Sequence, residues 1–164
     1  MSVFYLPTVV LHVLAAMLWI GGMLFFAIAA PVLRQVGDDQ IRARLFDTMG
    51  RRFRFVGWVC VATILTTGVL QLRLRGWWGT DFWSLPNLFG TALGITLVWK
   101  LGLVALMVGV QAAHDFWLGP VAGAAVPGSD EARRLRVRAA GLARINAFAA
   151  IVLVYVAVRL SRGG

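Results

Sequence analysis

Seven side chains in this sequence carry chemistry into places where polar groups are costly: His12, Lys100, Gln111, His114, Asp115, Arg144 and Asn146. Each stands inside a long apolar run. A charged group in the middle of a bilayer costs roughly 2.5–3.5 kcal/mol on insertion scales, so each needs a partner or a purpose. Neutral imidazole is a standard ligand of haem iron and of copper. Lys100 lies too deep in its run for its stem to reach water easily. A lysine so placed could neutralise an anionic ligand, ligate a metal as the neutral amine, or carry a proton.

Helical spacing groups these residues. Lys100, Met107, Gln111 and His114 share one stripe, and His12, Ala16, Trp19, Met23 and Phe26 share another, with Gly22 alongside. Small residues near His12 leave room for a flat ligand or a close helix. At 1.5 Å of rise per residue, His12 is about 10 Å deep, Lys100 about 18 Å deep in the same half of the membrane, and His114 roughly 20 Å further along. His12 and His114 of one chain therefore cannot clasp one metal. Asp115 and Arg144, at comparable depth, read first as a salt bridge. Arg144 with His114 could instead hold a propionate or an anionic headgroup, and Asn146 reads as an interhelical hydrogen bonder.

The elements that must position these groups follow from composition. The 164 residues are 60% hydrophobic and only 14% charged, far from an ordinary soluble domain. A spanning helix needs about 20 apolar residues, and four segments qualify, about 5–33, 54–73, 88–117 and 138–160. The expected fold is all-α, a single transmembrane four-helix domain over residues 1–164. Residues 1–33 lack the basic start and short apolar core of a cleaved signal peptide, so the first helix is expected to remain. Cys60 is the only cysteine, which excludes an intrachain disulfide.

The net charge of +9 is placed for a membrane and not for nucleic acid. Arginines 34, 42, 44, 51, 52 and 54 crowd the first loop, and 133, 134, 136 and 138 the third. By the positive-inside rule those loops face the cytoplasm, with both termini and the 74–87 loop outside; the arginines also meet anionic headgroups. Residues 40–52 read as a short amphipathic helix on the inner surface. Trp77, Trp78 and Trp83 read as an interfacial belt or as a lid over a site. Residues 121–132 read as a flexible inner loop.

The stretches "LHVLAAMLWIGGMLFF", "GTALGITLVWKLGLVALM" and "RINAFAAIVL" resemble the CopD-like small four-helix bacterial membrane proteins over nearly the whole chain. His12, Trp19 and Gly22 (H-x6-W-x2-G), with Lys100 in mid-helix, also resemble the HemJ-type protoporphyrinogen oxidases, which bind haem b. That likeness implies that His12 and Lys100 serve haem binding or activity. This sequence departs from the HemJ pattern at Gln111, where a second histidine is expected, and at Ala147 and Ala149, where an acid and a proline are expected. The copper role of CopD carries over weakly, since CopD itself is larger.

Residues and resemblance together lead to one expectation. A haem b slots between the first and third spans, with His12 on iron and Lys100 as sixth ligand or propionate partner; Trp19 and Gly22 shape the slot, and Met107, His114, Arg144 and Asn146 complete the binding set. The implied role is membrane redox chemistry, passing electrons to or from a quinone or porphyrin-like substrate in the bacterial cytoplasmic membrane. Two alternatives stand beside it: copper handling by His12, Met23 and Met107, which would suit Cu(I), and a non-catalytic assembly subunit. A homo-oligomer in which His114 of one chain completes a site in another stays open.

Overall fold

The computed structural model describes residues 3–79, 81–126 and 128–163. Thr80 of the 74–87 loop and Pro127 of the expected inner loop lie outside the described residues, as do both extreme termini. The fold is all-helical among the described residues. Helix α1 spans Tyr5–Leu33, α2 Asp39–Leu74, α3 Leu85–Gly90, α4 Ala92–Ala112, α5 Gly119–Ala124 and α6 Asp130–Ser161, with a π turn at Ala113–Leu118 between α4 and α5. Four stretches are long and apolar enough to cross a membrane: Tyr5–Leu33, Asp39–Leu74, Ala92–Ala124 and Asp130–Ser161. The protein is a multi-pass membrane protein.

Helix α2 replaces two expected elements with one. The segment at 40–52 does not form a separate surface helix but continues in register into the second span. No proline stands between them, and Thr48 and Gly50, residues that can cap a helix, stay within the hydrogen-bond ladder. The Asp38 carboxylate caps the start, accepting from Gln40 N at 2.8 Å and Ile41 N at 2.9 Å. At its 36 residues the helix is about 54 Å long, well beyond the ~30 Å hydrocarbon layer. Helix α6 likewise begins at Asp130, not near 138, under a Ser129 cap with Asp130 and Glu131 in its first turn.

The third span is broken twice. Thr91 separates α3 from α4 and caps α4 by accepting from Gly94 N at 3.0 Å. A Cβ at Gly94 would come within 2.7 Å of Leu88 Cα, so only glycine lets α3 fold back this closely. Near the other end Pro120 has no N–H and would crowd the carbonyl four residues earlier. The chain widens there into the π turn, in which Gly119 N reaches His114 O.

Helix α1 packs along α2, α4 along α6, and α1 also meets α6; α2 and α4 make few close backbone approaches. The shared core comprises Ala15 and Trp19 from α1, Cys60, Val61 and Ile64 from α2, Met107 from α4, and Ala149 and Ala150 from α6. Trp19 and Met107 are the largest side chains fully enclosed. Most other apolar side chains of the spans face outward, as a lipid environment requires. Contacts between Tyr5 and Arg75 mark the terminal end of the bundle. Asp39 beside Gly128 marks the arginine-rich end.

Candidate functional site

His12 is half-buried on α1 and held by α2. Its Nδ1 lies 2.8 Å from Thr67 Oγ1. The Thr67 hydroxyl has one proton, and that proton goes to Thr63 O at 2.6 Å, with Ile64 O at 3.2 Å. Thr67 Oγ1 must therefore accept from His12, which puts the proton of the neutral ring on Nδ1 and leaves the Nε2 lone pair bare. Metal-bound histidines are arranged in this way, with the far nitrogen donating to an oxygen that sets tautomer and ring direction. Gly68 lies beside the ring, where a Cβ would make an ordinary contact 3.5 Å from His12 Cε1.

Lys100 of α4 is half-buried and has no hydrogen-bond or ion-pair partner among the described residues. His12 feels its charge, and Lys100 in turn feels that of Arg75. Arg75 closes the terminal end: its Nε donates to Tyr5 Oη at 2.7 Å, and its guanidinium lies 5.0 Å from the Trp77 ring centroid. Trp77 stacks on Phe82 at 5.0 Å, and Trp83 Nε1 donates to Trp77 O at 2.9 Å. Gln71 Nε2, one turn before Arg75, is enclosed without a partner.

A second polar cluster lies toward the arginine-rich end. Buried Asp115, in the π turn, accepts at Oδ2 from Gln111 Nε2 at 2.7 Å and from Trp58 Nε1 at 3.1 Å. At Oδ1 it meets His114 Nδ1 at 3.0 Å. This carboxylate ties α2 to the third span. Arg54 is the arginine whose charge it feels. Arg54 Nε and Trp19 Nε1 are enclosed without partners nearby, and a Cβ at Gly57 would lie 3.9 Å from Gln111 Nε2 and 4.0 Å from Trp19 Nε1.

Several sequence-based assignments change. The Asp115–Arg144 salt bridge does not form: Arg144 is exposed, and Asp115 is satisfied by Trp58, Gln111 and His114. Gly22 does not open a slot, because the Phe53 ring from α2 fills its face. Trp19, at 2% exposure, packs inside the core with Met107 and does not line a ligand surface. His114 belongs to the Asp115 cluster, away from His12. Asn146 donates from Nδ2 to Met23 Sδ at 3.7 Å, with Oδ1 enclosed and unpartnered. The copper set His12, Met23 and Met107 is not gathered, since Met23 is about 16 Å from His12 along α1 and Met107 is enclosed in the core.

Sequence reasoning passed over Thr67, Gly68, Gln71, Arg75 and Tyr5 at the terminal end, and Arg54 and Trp58 at the other. One signal was available: Thr63, Thr67, Gln71 and Arg75 recur every four residues along the apolar part of α2, a polar stripe that is buried at Thr67 and reaches the exposed surface at Arg75. Among the described residues, no cluster of three or more His, Cys, Asp or Glu is placed to hold a bare metal ion.

An uncharacterized protein of Aquifex aeolicus (strain VF5) is 29% identical over 155 residues, covering 93% of this chain and 92% of the relative. No solved structure matches. The family model described as copper resistance protein D matches residues 47–160, from the arginine-rich half of α2 to the end of α6. The chain belongs to the copper resistance protein D family.

Proposed function

We propose that this protein binds haem b in the bacterial cytoplasmic membrane and serves a redox role, exchanging electrons with a quinone or porphyrin-like substrate. The observation that carries the reading is the His12–Thr67–Thr63 chain, which puts the ring proton on Nδ1 and leaves His12 Nε2 free to ligate. The donor set favours a porphyrin over a bare ion. A free metal ion usually takes three or four protein ligands, whereas a porphyrin brings four nitrogens and asks the protein for one or two. His12 and Lys100 are two nitrogens, with no further ligand cluster beside them among the described residues. A bound haem would supply one-electron chemistry at iron. The chain would supply the imidazole from His12 and an amine or a cation from Lys100.

Copper handling is the second reading, favoured by the family to which the chain belongs. Its site would use the same His12 nitrogen, with no soft sulfur ligand alongside among the described residues.

One experiment separates them. The protein is purified from cells supplied with both haem and copper, and its metal content and visible spectrum are recorded with and without dithionite. A Soret band that is lost in His12→Ala is the expected result. Colourless protein, or a Soret band unchanged in His12→Ala, overturns the haem reading. Stoichiometric copper without porphyrin replaces it with the second.

A further inference from the structure

We infer that the groove between α1 and α6 seats one acyl chain of an anionic phospholipid, whose phosphate rests between Arg34 and Arg136. This site is independent of the haem reading.

The groove has a volume of about 240 Å³ and is walled by Ile20, Met23 and Leu24 of α1 and by Ala147, Ala150 and Ile151 of α6. Its floor is part of the shared core, where Ala150 is buried and Ile20 and Met23 pack against the cluster. Its rim is open: Leu24 and Ile151 are 46% and 64% exposed, and Val154 beyond them 50%. No wall residue carries a hydroxyl, an amide side chain or a charge. A quinone ring or a porphyrin propionate would lose its polar partners there. A hydrocarbon chain loses none and gains packing from both helices.

Helix register brings two cations to one end of this groove. Asn146 Nδ2 meets Met23 Sδ at 3.7 Å, and α1 and α6, the first and fourth spans, run antiparallel. A step along α1 from Met23 is therefore matched by an equal step along α6 from Ala147. Eleven residues lead from Met23 to Arg34 and eleven from Ala147 to Arg136, about 16 Å in each case. Eleven residues also fall within about 20° of three full turns, so both arginines return to the face that lines the groove. Helix α1 stays regular past Pro31, with Arg34 N reaching Ala30 O at 3.1 Å. On that face, between groove and arginines, stand Ala27 and Ala30 on α1 and, at the same levels, Ala143 and Ala140 on α6. Residues this small leave the trough unblocked.

Neither arginine is in an ion pair among the described residues. Helix α1 contains no Asp or Glu, and α6 has none after Glu131. Two unopposed guanidinium groups at the end of an apolar trough complement a phosphate that carries a chain. A chain from that leaflet, cytoplasmic by the positive-inside rule, crosses half of the hydrocarbon layer, about 15 Å. That depth brings its end to Leu24, Met23 and Ala147.

Native mass spectrometry tests the site. Delipidated protein in a mild non-ionic detergent is given equal amounts of phosphatidylglycerol and phosphatidylcholine with the same chains. One phosphatidylglycerol per chain is expected, preferred about tenfold over phosphatidylcholine. Arg34→Gln and Arg136→Gln each cut that preference about threefold and together remove it. Arg138→Gln, on the opposite face of α6, leaves it unchanged. Ala147→Phe fills the groove and weakens both lipids alike; should that variant not fold, the arginine variants, which leave the apolar spans intact, decide alone. An undiminished preference in the double arginine variant overturns the proposal, as does full lipid binding by folded Ala147→Phe. Displacement of the phospholipid by an added isoprenoid quinone assigns the groove to a quinone tail, and a dimer lost in Ala147→Phe assigns it to a second copy; either result overturns it as well.

Discussion

Replacing Thr67 by valine tests the step on which the site rests. Valine keeps the branched shape but removes the oxygen that accepts from His12 Nδ1 at 2.8 Å, so the imidazole loses both its anchor and the reason for carrying its proton on Nδ1. Polar hydrogen bonds within membrane proteins average about 0.6 kcal/mol and reach about 1.7. Loss of an oxygen that supports a ligating histidine typically costs 10–100-fold in affinity. The Thr67 bond is short and links three groups in series, which places the expected loss toward the upper end of the first range: about 1.4 kcal/mol, or tenfold in hemin affinity. The assay is a Soret titration of wild type, Thr67→Val, Thr67→Ser and His12→Ala in the same detergent. Serine retains the acceptor and is expected to bind within about twofold of wild type. If valine binds as tightly as serine while His12→Ala has lost binding, His12 ligates without help from Thr67 and the tautomer argument fails.

Four further outcomes are expected. Gly22→Ala drives a methyl group into the Phe53 ring and lowers stability by about 1–3 kcal/mol in thermal unfolding; in a Phe53→Ala background most of that penalty disappears, and an unchanged penalty refutes the contact. Asp115→Asn replaces a charged acceptor shared by Gln111, Trp58 and His114 with a single neutral amide oxygen, and is expected to cost about 1–3 kcal/mol, more than His114→Ala by the same measurement. Arg144→Gln stays within about 0.5 kcal/mol of wild type, because the exposed guanidinium has no part in the Asp115 cluster; a drop matching that of Asp115→Asn would restore the discarded salt bridge. In a Cys60→Ser background, Val3→Cys is labelled by an impermeant maleimide on intact cells and Ile41→Cys only after lysis, as the arginine distribution requires; the reverse pattern inverts the topology.

The spans were legible in the sequence to differing degrees. The first and the core of the others follow from apolar length alone, because the bilayer demands internal backbone hydrogen bonding over a set distance. Their ends were less visible. The 40–52 segment has the amphipathic pattern of a surface helix, and only the uninterrupted backbone shows that it belongs to α2. The π turn depends on how Pro120 is accommodated beside Asp115 and Trp58, a compromise between a local steric demand and hydrogen bonds from a distant helix.

His12 and Lys100 announce themselves in the sequence because a titratable group in an apolar run is costly wherever the helix turns. Their surroundings do not. Which arginine answers Asp115, whether Gly22 opens a slot or receives a ring, and which oxygen holds His12 all depend on helix rotation and partner choice, and residues such as Arg54, Phe53 and Thr67 lie more than thirty positions from the groups they serve. Residue types alone established a membrane-spanning helical protein with an imidazole and an amine set within its apolar spans. Packing decided the tautomer of that imidazole and the partners around it, because hydrogen-bond direction is a property of atoms brought together in space and has no counterpart in spacing along one helix.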